Sequence, residues 1–266
     1  MREEKLGKLT VRLARSDMEV IAAQKLRYRV FYEGMGARPT ELVEKLRMDI
    51  DPYDAICDHL LVIENEADPK RAKIVGTYRL LRKSIARKHE GFYSADEFDL
   101  SALQNYPGEH VELGRSCVDP LYRGKAIMQL LWRGIADYLK AYDISLMFGC
   151  ASFPGTDVCE FSSALTYLNR FHKAPKEWRP VAVDNRYISM KRMTRYQLDV
   201  RQAMREMPAL IKGYLRVGGV VGKGAVIDYQ FNTIDICLMV ETTNITGRYQ
   251  RHFMQSQPNL CHQQHI

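Results

Sequence analysis

Residues 112–126, "ELGRSCVDPLYRGKA", hold Glu112 and Arg115 three apart and then a basic turn, Arg123-Gly124-Lys125-Ala126. A strand that runs through a tight glycine-containing turn into a helix gathers backbone N–H groups and the positive end of the helix dipole. A phosphate or pyrophosphate is the usual occupant of such a place. Arg123 and Lys125 add charge, and Gly124 lets the backbone come close to a ligand. One glycine and two basic residues also make an ordinary connection. The position of the turn, between a charged strand and the most regular helix of the chain, favours a site.

A second set of chemical groups lies upstream. Arg27 and Phe31 are four apart, "DIDPYDAICDH" packs Asp49, Asp51, Asp54 and Asp58 together, and Arg79 sits in "GTYRLL". Cys150, in "FGCASF", could act as a nucleophile, but no His is near it in sequence, and buried strand cysteines are usually inert. The six cysteines have no Cys-x-x-Cys pair or paired His spacing, so neither a zinc site nor a disulfide framework is expected.

These residues need elements to hold them. After a Ser16-Asp17 cap, Val20, Ala23, Leu26 and Val30 recur at helical spacing, predicting a helix to about Tyr32 that puts Arg27 and Phe31 on one face. "HLLVIE" and "KIVGTYRLL" read as an antiparallel strand pair. From Val111 to Val118 a strand places Val111, Leu113 and Cys117 on one face and Glu112, Gly114 and Ser116 on the other. Ile127, Leu130, Leu131, Ile135, Tyr138 and Leu139 mark a helix to about Lys140. "ISLMFGCASF" is a central, doubly covered strand, and a capped helix from Thr156 to about Phe171 follows. "PALIKGYLRVGG" is an amphipathic helix stopped by Gly218, suited either to core packing or to a membrane surface. "AVIDYQF" and "DICLMVET" are a last strand pair joined near Asn232-Thr233. No repeat or low-complexity linker divides the 266 residues, so a single domain over 1–266 is expected.

No run of about 18 apolar residues occurs, and "MREEKLGKLT" lacks the apolar centre of a signal peptide. A cytoplasmic protein is the expectation. The 39 Lys and Arg against 32 Asp and Glu give a net +7, which favours an acidic partner: nucleic acid, an anionic membrane or an acidic carrier protein.

The strand-turn-helix resembles the cofactor-binding core of the GNAT-like acyltransferases, whose turn reads Arg or Gln, x, x, Gly, x, Gly or Ala. Here it is Leu121-x-x-Gly124-x-Ala126, with Leu121 in the place of the basic or amide residue. Arg27, Phe31, Asp51-x-x-Asp54, Arg79 and Glu112-x-x-Arg115 are similar in order and spacing to acyl-homoserine-lactone synthases. That branch usually has a tryptophan where this chain reads "YEGMGA", and its C-terminal strands differ. The chain is closer to the L-ornithine Nα-acyltransferases, which make lyso-ornithine lipid. "AAQKLRYRVFYEGMGA", "LWRGIADYLKAYDISLMFGCASFPGTD" and "LIKGYLRVGGVVGKGAVIDYQFNTIDICLMV" carry that resemblance, which runs from about residue 11 to 253.

The resemblance implies an α/β (α+β) GNAT-like acyl-CoA N-acyltransferase fold, a central mixed, mostly antiparallel sheet flanked by helices, with a family-specific segment at about 199–253. It implies transfer of a 3-hydroxyacyl group from the phosphopantetheine of acyl carrier protein to the α-amine of ornithine. No bound cofactor, metal or nucleic acid is expected, and the acidic carrier is the partner expected for the basic surface. Arg123, Gly124, Lys125 and Ala126 would hold the donor phosphate, and Arg27, Phe31, Asp51, Asp54, Arg79 and Arg115 the acceptor. Glu112 would take the ammonium's proton or position it, and the N–H groups near Val118 would meet the oxyanion. The alternatives are a homoserine-lactone synthase, an acyltransferase for another amino acid, and a non-catalytic module binding nucleic acid or membrane. Contact with the inner membrane through the tail helix stays open beside core packing.

Overall fold

The computed structural model describes residues 3–65, 72–243 and 245. In chain order its strands are β1 Glu4–Leu6, β2 Leu9–Leu13, β3 Asp58–Glu64, β4 Lys73–Arg82, β5 Phe98–Asp99, β6 Glu109–Val118, β7 Ile144–Pro154, β8 Val181–Ala182, β9 Val220–Val221, β10 Val226–Asp228 and β11 Thr233–Glu241. Its helices are α1 Asp17–Tyr28, α2 Glu41–Leu46, α3 Lys83–Ala86, α4 Lys125–Ala141, α5 Ser162–Phe171, α6 Val200–Glu206 and α7 Ala209–Arg216. The main sheet runs β1-β2-β3-β4-β6-β7-β11-β10, with β9 added to β11. Among these pairings only β6 with β7 is parallel. This is the mixed, mostly antiparallel sheet that the resemblance implies.

The amphipathic α4 lays Ile127, Leu130, Leu131 and Ile135 on one sheet face, where they join Val11, Leu60, Val111 and Met147 in the main core. Burying each such side chain is worth about 1.5–3 kcal/mol. The helix expected to end near Tyr32 stops as an α-helix at Tyr28 and widens into a π-helix, Arg29–Gly34. A simple four-residue spacing therefore does not describe Arg27 and Phe31. The helix expected from Thr156 starts at Ser162, after a single turn, Val158–Phe161, that Asp157 caps through the amide of Cys159. α7 ends one residue before Val217, and Gly218 is left-handed at φ 92°, as its place in the sequence predicts. The apolar stripe of α7 is consumed by packing, since Ile211 and Tyr214 are buried in the main core.

One face assignment is corrected. Arg115 adopts a left-handed φ of 49°, and the β4–β6 register shifts between Thr77 and Arg79. A β-bulge moves every later residue to the opposite face. Cys117 therefore leaves the α4 side and packs with Leu26 and Val30.

At Gly149 the backbones of β6 and β7 leave no room for a side chain. A Cβ there would lie 2.3 Å from the carbonyl oxygen of Leu113, a backbone atom with no side-chain freedom. Gly149→Ala is expected to destabilise the fold by about 1–3 kcal/mol or more. A fall in the denaturant midpoint at unchanged m would show it.

Candidate active site

The parallel pairing of β6 and β7 ends at Glu112 opposite Phe148, whereas β7 continues to Pro154 against β11. The two strands separate beyond that point. A cavity of about 1300 Å³ fills the opening, walled by β6 from Glu112 to Val118, by Cys150 and Ser152 of β7, and by α7. The Asp119 amide donates to Val75 O at 2.9 Å, on the β4 side. Because amides alternate along a strand, the Val118 N–H points the other way, toward the opening.

α4 begins at one end of this cavity. Its N-cap is Gly124, with no side chain closing the first turn, so first-turn amides are offered outward. Arg123 and Gly124 line the cavity, and Ala126 lies in the first turn. Lys125 opens the helix, but its side chain lies outside the described residues. Leu121, where the family pattern has a basic or amide residue, is 91% exposed.

The acceptor candidates form a buried charge network. Arg27, fully buried, grips Asp54 with two bonds, Nη1–Oδ1 at 2.8 Å and Nη2–Oδ2 at 2.7 Å, and sets Nε 2.7 Å from Asp49 Oδ2. Arg79 Nη1 donates to Asp51 at 2.5 Å and to Asp54 at 3.1 Å. Arg115 donates from Nε to Asp49 and from Nη2 to Asp51, each at 3.1 Å. Asp51 and Asp54 also cap each other's turn at Pro52–Ala55. Three arginines meet three aspartates, as buried charges require.

Only part of this network reaches the cavity. Arg79, Arg115 and Phe31 line it, whereas Arg27, Asp51 and Asp54 stand behind that wall. The Arg115 guanidinium lies between the rings of Tyr93, at 4.6 Å, and Phe231, at 4.5 Å. Phe231 meets Phe31 edge-on, with ring centroids 5.9 Å apart.

Glu112 is 4% exposed and lines the same cavity. Its two carboxylate oxygens accept from the amides of Tyr93, at 2.9 Å, and Ser94, at 2.7 Å, fixing the segment that covers this face of the sheet. Burial pushes its carboxyl above the ordinary range despite those two bonds. Cys150 donates toward Glu97 Oε2 at 3.2 Å, and burial and the Glu97 charge hold its thiol well above the usual value. A thiol so protonated is a poor nucleophile.

Sequence reasoning missed Asp49, the common partner of Arg27 and Arg115, among the site residues, although it had noted the aspartate cluster. It also missed Tyr93, Phe231 and the acidic group Glu97, Asp228 and Asp235, which come together only when β10, β11 and the 92–99 segment fold onto one face. The C-terminal segment supplies three of these residues. No local motif announced them.

Comparison with known proteins places the chain in a family. An acetyltransferase (GNAT) domain model matches residues 26–133. The chain is 45% identical over 249 residues to an L-ornithine N(alpha)-acyltransferase of Agrobacterium fabrum, covering 92% of this chain and 85% of that protein. It is 43% identical to the protein of the same name from Brucella abortus, covering 92% and 88%. In fold it is similar to an N-acyl amino acid synthase from uncultured soil microbes, with a TM-score of 0.50 at 13% identity over 90% of this chain and 94% of that one. A CoA-dependent acyl-homoserine lactone synthase gives 0.51 at 12% identity over 93% and 97%. On the strength of these full-length identities, the chain belongs to the L-ornithine Nα-acyltransferase family.

Proposed function

We propose that the protein transfers a long, 3-hydroxylated acyl group from the phosphopantetheine thioester of acyl carrier protein to the α-amine of L-ornithine. One observation carries the reading: a single cavity joins the open N-terminus of α4 to the arginine-rich wall by way of the splayed strands. A phosphorylated donor and a zwitterionic acceptor need those two ends and a shared middle. β11, from the C-terminal segment, pairs with β7 inside the sheet, which supports one catalytic domain over 1–266.

The donor phosphate would rest on the amides of Gly124, Lys125 and Ala126 with Arg123 beside them. The acceptor carboxylate would meet Arg79 and Arg115, whose guanidinium groups each carry five donors. Arg27, Asp51 and Asp54 then act by positioning, holding those two arginines in register. Phe31 would close the apolar side of the acceptor pocket.

In the reaction, Glu112 takes a proton from the α-ammonium, directly or through one water. The freed nitrogen lone pair attacks the thioester carbonyl carbon, and the Val118 N–H meets the oxygen that becomes negative. As the oxyanion collapses, the carbon–sulfur bond breaks. The thiolate leaves with the second nitrogen proton, giving an amide and a free phosphopantetheine thiol.

Purified protein incubated with a 3-hydroxyacyl carrier protein thioester should release thiol with ornithine, and the product should have the mass of the Nα-acyl amino acid. Arg123→Glu and added salt should both raise the donor KM with little change in kcat. Release of thiol only with S-adenosylmethionine would favour a homoserine-lactone synthase instead.

A further inference from the structure

We propose that Glu97, Asp228, Asp235 and Thr233 form an anionic subsite that holds the side-chain ammonium of the acceptor and so selects diamino acids over their monoamino analogues. The proposal rests on the reading of the cavity as an amino-acid acyltransferase site.

Carboxylate oxygens of Glu97, Asp228 and Asp235 all lie within 4.8 Å of one another, and all three residues are buried. Strand register puts them together. Asp228 pairs with Thr233 across the β10–β11 hairpin, and Asp235 pairs with Ser152 of β7, so Thr233 and Asp235 share the cavity face. Asp228, Thr233 and Asp235 line the same cavity as Glu112, Arg79 and Arg115.

Ser152 and Thr233 stand beside the Asp235 carboxyl and pull it down, without outweighing burial. Asp235 is 5% exposed and Thr233 is 4% exposed, yet Asp235 Oδ1 and the Thr233 hydroxyl have no partner at ordinary hydrogen-bond geometry among the described residues. A buried polar atom left in that state costs about 1–3 kcal/mol. Burial raises the carboxyls of Glu97 and Asp235 above the ordinary range, and their acidic neighbours reinforce the shift. An entering cation would lift that repulsion.

The chemistry of the remaining atoms selects an ammonium over a metal ion. Glu97 already receives the Cys150 thiol at 3.2 Å and stands 3.4 Å from Arg186, while Asp228 spends Oδ1 on the amides of Gln230 and Phe231. Ca²⁺ and Mg²⁺ take six or more oxygens, but an ammonium needs three acceptors. The hairpin that carries Asp228 also carries Phe231, which lies on the Arg115 guanidinium. One short turn therefore ties the ammonium end of the pocket to its carboxylate end.

L-norvaline has the carbon chain of ornithine without the side-chain amine, and it separates the possibilities. The unsubstituted protein should prefer ornithine over norvaline in kcat/KM. Asp235→Asn and Glu97→Gln should each reduce that preference by about 10–100-fold, chiefly through the ornithine KM. A merely structural defect would slow both acceptors alike and leave the ratio, which would overturn the proposal. So would Mg²⁺ or Mn²⁺ binding to the protein that Asp235→Asn abolishes. If neither amine releases thiol from any thioester, the acyltransferase reading itself fails; ornithine turnover with an unchanged ratio rejects only the subsite.

Discussion

Arg27→Ala is expected to destabilise the protein by about 3–5 kcal/mol, because it removes the two-bond partner of Asp54 and one of the two cations on Asp49, leaving Arg79 and Arg115 to offset the three aspartates of the buried network. For a fold of ordinary stability that is a large share of the total. Arg27→Lys should recover only part of the loss, since an ammonium cannot reproduce the two-bond grip on Asp54. Denaturant unfolding followed by far-ultraviolet circular dichroism would read both. Acid gives an independent check. Burial alone would raise the Asp54 carboxyl, but the Arg27 bonds and charge outweigh it and hold the group well below its usual value of 3.8. A depressed carboxylate stabilises the folded state fully above its unfolded pKa, and the contribution fades as pH falls toward the folded value. The native protein should therefore keep this contribution down to about pH 4, and Arg27→Ala should unfold at distinctly higher pH.

The structural role of Arg27 marks a limit of reading charge from sequence. The resemblance to the lactone synthases grouped Arg27, Asp51, Asp54, Arg79 and Arg115, and in the structure these side chains form one ion-pair network. Spacing says nothing about depth. Arg79 and Arg115 look into the cavity from β4 and β6, whereas Arg27, on α1, reaches the same aspartates from behind. The elements were more legible than the site: α4 carries a helical apolar period and β7 a nearly continuous apolar run, and the resemblance supplied the sheet around them. The bulge at Arg115 was not legible. A left-handed arginine has no turn signature of its own, and a single inserted residue reverses every later side chain. The acidic subsite was still less visible, since Glu97 and Asp235 are far apart in sequence and become neighbours only when the 92–99 segment folds over the face that β7 and β11 share.

Glu112→Gln is expected to lower kcat by about 10²–10⁴-fold, the span that general bases usually supply. Glu112 also anchors the amides of Tyr93 and Ser94, so a fall in rate alone would not separate proton transfer from scaffolding. The pH profile does. A base works only when ionised, and burial raises this carboxyl, so the acid limb of kcat/KM should lie above the ordinary carboxylate range. Rate should rise with pH through that limb, and in Glu112→Gln the limb should vanish while the remaining activity stays low. Acceptor chemistry gives the second readout. An amine already neutral at the assay pH has no proton to surrender before attack, so the variant should lose far less rate with it than with ornithine. Scaffolding predicts equal losses for both amines and an unchanged limb. If that pattern appeared, the ammonium proton would be leaving through water, and Glu112 would be a positioning residue that holds the 93–96 turn over the splayed strands.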